Sequence, residues 1–388
     1  MKTDSSNNTC WKGRQAIRIE NGTVELVTLL GGGHIAVFRY LDYARGQNVL
    51  WEAPWVTREP NESWSSGDEL LYGNSTEGRF LSGYSGHALC LDYFGPPTQS
   101  DADAGLSLHG EAAITAWQSD RAEDGWNFTA ILPRSKLTVR RGVRIRPGES
   151  VVSIQETVSN PRPFPHLCDW VQHVTFGPPF FREGESFVTA SGKQLTLYLP
   201  NENSMPLLQG NDKLFWPFAY LGNDIIDLRQ PFSVKSREIL AGVQLDEERD
   251  VQFLIACNLK LGLGVAYCFR RDDFPWLTVW EENCGRGEPP WNGRTIARGM
   301  EFGTNPFPVG KQARIPSQLD SLIGCAIPAL GARTARYQMC LFTFTPGTTR
   351  VPDNVSVGNG ELIFYAETGE IAFRLPSVDS PSFLLSGS

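Results

Sequence analysis

Residues 137–158, which read LTVRRGVRIRPGESVVSIQETV, show the pattern that decides the fold class. In the first half, polar or small residues alternate with four apolar ones: Leu137, Val139, Val143 and Ile145. Pro147-Gly148 then provides a turn, and a second run rich in β-branched residues covers 151–158. Period-two alternation on both sides of a Pro-Gly turn predicts an antiparallel β-hairpin.

Short runs of the same kind continue through the rest of the chain. Strands are predicted at 23–29, 34–38, 194–199, 251–258, 264–270, 337–344 and 362–366. The only helix predicted is a short one from Ser317 to Gly324, while 52–79 and 94–109 are expected to be long polar loops. Many short strands separated by turn residues predict an all-β sandwich or barrel of antiparallel sheets.

Domain organisation is inferred from where glycine and proline residues interrupt the chain. The 38 glycines and 26 prolines punctuate the chain regularly, but no Ser/Gly-rich or Pro-rich linker divides it and no repeat period is visible. We therefore expect one domain over residues 1–388, with about ten residues at each end loosely held.

The charge balance and cysteine pattern narrow the class of protein. Lysine and arginine total 35 against 43 acidic residues, giving a net charge of −8, which argues against nucleic-acid binding. No apolar run approaches the roughly 18 residues of a membrane span, and the polar start from Met1 to Asn8 leads us to expect no signal peptide. The eight cysteines form no C-x-x-C pair and are expected to be reduced thiols in a cytoplasmic protein. The oligomeric state is left open.

Two of the five histidines stand in unusual contexts. His109 lies in a Leu-His-Gly sequence, and His173 is followed by Val-Thr-Phe-Gly-Pro-Pro. Glycine and proline after each histidine favour an imidazole that points from a strand end into a cleft, where it could transfer protons. A core histidine bonded to backbone is the alternative.

One glutamate is a candidate for proton transfer. Glu301 stands between two large apolar residues, and the desolvation this implies would raise the pKa of its carboxyl group toward neutral pH. A strand-end glutamate paired with Arg294 or Arg298 would fit the local sequence equally well. Glu281 and Glu282 are expected to be solvated or paired with arginine.

Taken together, five short motifs resemble the active-site order of galactose mutarotases (aldose 1-epimerases). They are Gly78-Arg79, Leu108-His109-Gly110, His173, Asp227-Leu228-Arg229 and Glu301, in that order and at similar intervals. The resemblance extends from about Arg79 to Pro308 and is closer to uncharacterised bacterial members of that superfamily.

The resemblance implies both a fold and an activity. The fold would be a β-supersandwich, and the activity would be the interconversion of sugar anomers by ring opening, without a metal or organic cofactor. His173 would protonate the ring oxygen, Glu301 would accept the proton of the C1 hydroxyl, and His109 would bind the ring oxygen or share the acid role. Arg79 and Asp227 would hold hydroxyl groups of a monosaccharide or sugar derivative.

Three further residues are candidates for substrate binding. Glu111 stands where the family usually has a second glycine after His109. His87, in Ser-Gly-His-Ala, belongs to the pattern of the bacterial mutarotase-like proteins. Trp280 could stack on a pyranose face, as could Trp117, Trp170 and Trp291, although core packing explains most tryptophans.

Three alternative functions remain open at this point. A non-catalytic sugar-binding homologue would use the tryptophans alone. A metal-dependent sugar isomerase or lyase would draw its ligands from His34, His87, His109, Glu111, His173 and Glu301. A glycosidase with two carboxylates would combine Glu301 with Glu281 or Glu282.

Overall fold

A computed structural model describes residues 8–201, 204–208, 214–221, 224–231, 237–310, 323–348 and 350–385. Its strands are β1 Asn8–Trp11, β2 Arg14–Glu20, β3 Val24–Leu29, β4 Ile35–Tyr40, β5 His87–Cys90, β6 Gln118–Ala122, β7 Gly125–Ile131, β8 Thr138–Ile145, β9 Val151–Ser159, β10 His166–Cys168, β11 Val171–Phe176, β12 Ser186–Ala190, β13 Gly192–Asn201, β14 Ser204–Leu208, β15 Leu214–Phe215, β16 Phe218–Leu221, β17 Asp224–Asp227, β18 Arg237–Leu245, β19 Val251–Asn258, β20 Leu263–Arg270, β21 Trp276–Asn283, β22 Ile296–Gly303, β23 Cys325–Ile327, β24 Ala332–Thr343, β25 Pro352–Val357, β26 Glu361–Ala366 and β27 Ile371–Pro376. The α-helices are α1 Ser66–Tyr72, α2 Ser75–Gly83 and α3 Gln99–Asp103. Short helical turns of other types cover Ala44–Gly46, Ala112–Ile114 and Pro381–Leu385.

Two large antiparallel sheets make up most of the structure. The first has twelve strands in the order β1-β2-β3-β4-β5-β11-β22-β21-β18-β13-β14, with β15 also paired to β13. The second has eight strands in the order β12-β19-β20-β24-β9-β8-β7-β6. The predicted all-β class is therefore confirmed.

The hairpin that the sequence predicts forms the β8–β9 pair of the second sheet. Val139 lies opposite Val158 and Val143 opposite Ile154, and all four side chains are buried. The other predicted strands correspond to β3, β4, β13, β19, β20, β24 and β26. The helix predicted from Ser317 to Gly324 lies outside the described residues, except for its last two positions.

The two polar loops contain helices that period-two reasoning did not predict. Asn74 caps α2, since its side-chain oxygen accepts hydrogen bonds from the backbone N–H groups of Thr76 and Glu77. Ser65 and Asp68 form a capping box at the start of α1. These caps satisfy free N–H groups at the helix starts, which allows short helices to form in sequences without a long apolar stripe.

The main hydrophobic core lies between the two large sheets. It takes side chains from the central strands of both, such as Val174 and Phe302 from the first sheet and Val265 and Met339 from the second. A third, three-stranded sheet of β25, β26 and β27 packs on the opposite face of the eight-stranded sheet, where Phe364 meets Phe342. The eight-stranded sheet therefore carries apolar side chains on both faces, which explains why β19 and β20 are almost entirely buried.

An ion pair lies inside the main core. Arg141 and Glu156, both fully buried, are 2.7 Å apart, and Glu156 also accepts hydrogen bonds from Trp170 and from Gln172. The guanidinium additionally donates to the carbonyl of Gly33. This buried charge is tolerated because both partners make several hydrogen bonds.

The chain ends are held where the structure describes them. Residues 8–11 pair with β2 as strand β1, and Leu384 in the last helical turn is buried against the third sheet. None of the described helices has the length and hydropathy that crossing a membrane would require.

Candidate active site

His173 and Glu301 lie side by side on the outer face of the twelve-stranded sheet. They are directly opposite each other in the β11–β22 pair, and Nε2 of His173 is 3.2 Å from Oε1 of Glu301. Both are buried, with 5 % and 2 % of their surfaces exposed. Gly299 precedes Glu301 on the same face, and a Cβ atom there would stand 2.5 Å from Oε1 of Glu301, so glycine leaves room for the carboxyl group.

Burial pushes both groups toward their neutral forms. It lowers the pKa of His173 from 6.5 to about 3 and raises the pKa of Glu301 well above its usual value. Burial therefore favours the protonated carboxyl group for Glu301 and the neutral imidazole for His173. A neutral imidazole that accepts at Nε2 carries its own proton on Nδ1.

Two hydroxyl groups behind His173 complete this arrangement. Nδ1 of His173 is 2.8 Å from the hydroxyl oxygen of Tyr84, and this hydroxyl is also hydrogen-bonded to the hydroxyl of Thr175. Thr175 Oγ1 is itself 3.3 Å from Nδ1. Burial raises the pKa of Tyr84 well above 10, so the hydroxyl keeps its proton. Tyr84 and Thr175 thus fix the orientation of the His173 ring.

His109 adds a second imidazole at an angle to the first. The two ring centres are 5.1 Å apart, and Nδ1 of His109 accepts a hydrogen bond from the backbone N–H of Gly95. Burial, then the nearby His173 and Arg286, lower the pKa of His109 well below 6.5, so the ring is neutral and its remaining proton is on Nε2. Gly110 must be glycine, since a Cβ atom there would stand 2.3 Å from the carbonyl oxygen of Leu91.

These side chains form the floor of a cavity of about 680 Å³. One wall is a face of α2 and the residues after it, and another comes from β18, β21 and the segment between β21 and β22. The cavity is lined by Asn74, Thr76, Glu77, Phe80, Leu81, Tyr84, Pro96, Leu108, His109, His173, Glu238, Leu240, Trp280, Arg286, Glu288, Trp291, Glu301 and Pro308. A cavity of this size with aromatic walls and a few polar groups is typical of a small-molecule site.

One arginine links the walls of the cavity. Arg286 is ion-paired with Glu77 on α2, at 2.6 Å, and with Glu238 on β18. Its guanidinium lies over the rings of Trp291 and Trp280, 5.2 and 5.9 Å from their centres. Burial works against its charge, but the adjacent carboxylates of Glu238 and Glu77 raise the pKa of Arg286. Trp280 also donates its indole N–H to Glu238.

The structure brings four of the predicted site residues together: His109, His173, Trp280 and Glu301. His87 is not among them, because it lies on the inner face of the sheet. It packs against the rings of both Tyr267 and Tyr337 in the core and bonds to Gln172. Alternation along β5 sends His87 and its neighbour Ala88 to opposite faces, so His87 cannot contact a ligand in the cavity.

Three other predicted binding residues have structural partners elsewhere. Glu111 is fully buried and accepts hydrogen bonds from the backbone N–H groups of Arg134 and Ser135. Arg79 lies on a different face of α2 from the residues that line the cavity, and its guanidinium covers the ring of Trp64. Asp227, in the separate β16–β17 pair, is bonded to Arg229.

The residue sets of two alternative functions do not assemble. Among the described residues, no three His, Cys, Asp or Glu side chains are placed to share a metal ion. His34 bonds to the carbonyl of Ala113, away from the cavity. Glu281 pairs with Arg298, and Glu282 accepts from backbone N–H groups, so neither joins Glu301. Of the four tryptophans considered for stacking, Trp280 and Trp291 line the cavity, whereas Trp117 and Trp170 belong to the core.

Sequence reasoning missed Tyr84 and Arg286. The helical spacing of Glu77, Phe80, Leu81 and Tyr84, which all line the cavity, was a signal that could have found the first. No comparable signal marked Arg286, because its two shortest ion pairs, with Glu77 and Glu238, join it to distant segments.

Comparisons with known proteins bear on the fold. No protein-family model matches the chain, and no curated protein matches it.

Several solved structures do match the chain. A candidate aldose 1-epimerase from Klebsiella pneumoniae has a TM-score of 0.58 at 15% identity, covering 85% of this chain and 79% of that one. A galactose mutarotase related enzyme from Lactobacillus acidophilus has a TM-score of 0.55 at 12% identity, covering 85% and 98%. A galactose mutarotase-like protein from Clostridium acetobutylicum has a TM-score of 0.53 at 13% identity, covering 87% and 97%. The chain therefore has the galactose mutarotase-like fold.

Proposed function

We propose that the cavity binds an uncharged aldose and catalyses the interconversion of its anomers. The observation that carries the proposal is the His173–Glu301 contact, a buried acid–base pair 3.2 Å apart on the floor of the cavity. Anomer exchange needs one group that gives a proton to the ring oxygen and another that takes the proton of the C1 hydroxyl. Pure binding requires no such pair.

The pair holds one transferable proton, and the reaction begins by moving it. Burial favours placing this proton on Glu301 at the start of the reaction. When sugar hydroxyl groups surround the pair, transfer to Nε2 of His173 gives a carboxylate and an imidazolium. The carboxylate takes the C1 hydroxyl proton, the bond from C1 to the ring oxygen breaks as the carbonyl forms, and the imidazolium protonates the ring oxygen. After rotation about C1–C2, the ring hydroxyl attacks the other face of the carbonyl and both protons return.

His109 and Trp280 would orient the sugar over this pair. The Nε2–H group of His109 is a fixed donor for a ring or hydroxyl oxygen, because Nδ1 is already bonded to Gly95. Trp280, whose ring centre is 6.3 Å from that of His173, offers an apolar face for the C–H bonds of a pyranose.

The charges around the cavity favour an uncharged substrate. Among the described residues, and apart from the His173–Glu301 pair, the cavity is lined by three glutamates (Glu77, Glu238 and Glu288) and by one cation, Arg286, which is already paired with two of them. A phosphate or uronate would meet this excess of negative charge, whereas the hydroxyl groups of a neutral sugar can donate to the carboxylate oxygens.

The experiment is to measure exchange between α and β anomers by saturation-transfer NMR on a panel of aldoses. His173→Gln and Glu301→Gln should each lower the catalysed rate about 10²- to 10⁴-fold, the usual contribution of a positioned proton donor or acceptor. Sugar binding, followed by thermal shift, should survive in both.

The matched controls carry the same substitutions away from the cavity. His166→Gln and Glu69→Gln change a partly exposed histidine on β10 and an exposed glutamate on α1, and neither should alter the rate. Wild-type rates in the His173 and Glu301 variants would remove their assigned roles. If the unaltered protein binds sugar without accelerating exchange, it is a binding protein only.

A further inference from the structure

Two free cysteines face each other in the ribbon formed by β10 and β23. Cys168 lies directly opposite Cys325 in this antiparallel pair, and their sulfur atoms are 3.6 Å apart. The ribbon is only three residues long on each side, and Leu167 and Ala326 at its middle position face solvent. The function proposed above uses neither thiol.

We propose that Cys168 and Cys325 are a dithiol site that a two-electron oxidant such as hydrogen peroxide converts reversibly to a disulfide. Directly opposed residues of an antiparallel pair have Cα atoms about 4.5–5.5 Å apart, within the range of about 4.4–6.8 Å that disulfides need. The sulfur atoms must approach by about 1.5 Å to reach the S–S bond length of about 2.05 Å, a movement within the reach of side-chain rotation.

The surroundings of the pair make one thiol the more reactive. Cys325 is 6 % exposed and Cys168 only 1 %. The hydrogen bond from Cys168 lowers the pKa of the Cys325 thiol against the effect of burial, with help from the charge of Arg333 and the hydroxyl of Thr304. The same contact and burial raise the pKa of Cys168 well above 9. Because Cys325 is also the more exposed of the two, we assign it as the thiol that meets the oxidant first, with Cys168 as the thiol that resolves the product.

The oxidation balances in two steps. The Cys325 thiolate attacks one oxygen of hydrogen peroxide and forms a sulfenic acid, while the O–O bond breaks and the leaving hydroxide takes up a proton to become water. The sulfur of Cys168 then attacks the sulfenic sulfur, and the hydroxyl group leaves with the Cys168 proton as a second water. Two thiols are thereby oxidised by two electrons, and a dithiol such as dithiothreitol reverses the change.

A second pair of nearby cysteines provides a contrast. In the β20–β24 pair, Cys340 lies opposite Ala266 and Cys268 lies opposite Gln338. Cys268 and Cys340 are therefore diagonal neighbours, whose Cα atoms are typically about 7–8 Å apart, beyond the reach of a disulfide. Both are buried and should remain reduced when Cys168 and Cys325 react.

Oxidation would close a covalent loop that includes the strands carrying His173 and Glu301. His173 follows Cys168 by a few residues and Glu301 precedes Cys325, so the strands that carry both lie inside the loop. A disulfide that closes a loop this long restricts the unfolded chain strongly, and we expect the melting temperature to rise by about 5 °C.

The test follows each of the eight cysteines in the full chain. The protein is treated with hydrogen peroxide, denatured and alkylated with iodoacetamide, and alkylation is then mapped by peptide mass spectrometry. The expected result is loss of labelling at Cys168 and Cys325, a crosslinked peptide that contains both, and recovery after dithiothreitol. Labelling at Cys268 and Cys340 should persist.

Two variants keep the outcome decisive. Cys168→Ser should abolish both the crosslink and the rise in melting temperature, whereas Cys268→Ser should retain both. If the exposed Cys10 is oxidised while Cys168 and Cys325 are still fully alkylated, the proposal is overturned. A crosslink between any other two cysteines would overturn it equally.

Discussion

Replacing His87 with glutamine should make the protein less sensitive to acid. Burial, then the charge of Arg141, lowers the pKa of this core histidine from 6.5 to about 3 in the folded protein. In the unfolded chain the same side chain takes up a proton below about pH 6.5. The unfolded state therefore binds more protons between pH 6.5 and 3, and the folded protein loses stability as the pH falls through that window.

The size of the effect follows from the two pKa values. A pH of 4.5 is two units below the pKa of this histidine in the unfolded chain, so the side chain is protonated there. In the folded protein, where its pKa is about 3, it remains neutral. At about 1.4 kcal/mol per unit, lowering the pH from 7 to 4.5 costs about 2.5 kcal/mol through His87 alone. Glutamine keeps a donor toward Gln172 but has no proton to gain. The wild-type protein should therefore lose about 2.5 kcal/mol more than His87→Gln over this interval.

Urea unfolding of both proteins at pH 7 and pH 4.5 measures this difference. For each protein the free energy of unfolding at pH 4.5 is subtracted from that at pH 7, so the pH-independent cost of the substitution cancels. The titrations of all other groups cancel when the two differences are compared. If the wild-type protein loses less than about 1 kcal/mol more than His87→Gln, the reasoning is refuted. His87 would then be either charged or in contact with water in the folded protein.

Two further predictions concern the site and the core. Tyr84→Phe should lower kcat for anomer exchange about tenfold or less, with little change in KM. The loss is small because Oγ1 of Thr175, 3.3 Å from Nδ1 of His173, remains as a hydrogen-bond partner. An increase in KM alone would contradict the positioning role of Tyr84. Glu156→Gln should reduce the free energy of unfolding, measured by urea denaturation, by about 3–5 kcal/mol. The substitution leaves the buried guanidinium of Arg141 without its counter-charge. A cost below about 1 kcal/mol would show that this ion pair contributes little to stability.

The sequence predicted the strands well because their cause is local. Alternation in 137–158 is a property of neighbouring residues, and the β8–β9 hairpin reproduces it. Glu301 between Met300 and Phe302 likewise indicated a desolvated carboxyl group, and the structure places it in a buried position. The helices in 66–83 escaped prediction because they depend on caps and, for α2, on packing against the sheet, which a period-two pattern does not reveal.

The site could be predicted only in part, because strand register and loop partners are not local. His87 and His173 lie on neighbouring strands, but β5 pairs with β11 so that His173 faces Ala88 and His87 faces Val174. A shift of one residue would have placed His87 on the cavity side. Arg286 contacts Glu282 nearby, but its shortest ion pairs are with Glu77 and Glu238, which are distant in sequence and meet it only in the folded chain.

The pairing of β11 with β22 has a consequence for how this protein could diversify. The spacing between His173 and Glu301 is set by backbone hydrogen bonds in the middle of a large sheet, whereas α2 and the segment between β21 and β22 supply much of the surrounding wall. Insertions or exchanges in those connections would change the shape of the cavity while the spacing of the His173–Glu301 pair stays the same. Grafting such segments between proteins of this fold is therefore a way to vary what the cavity accepts without moving the pair.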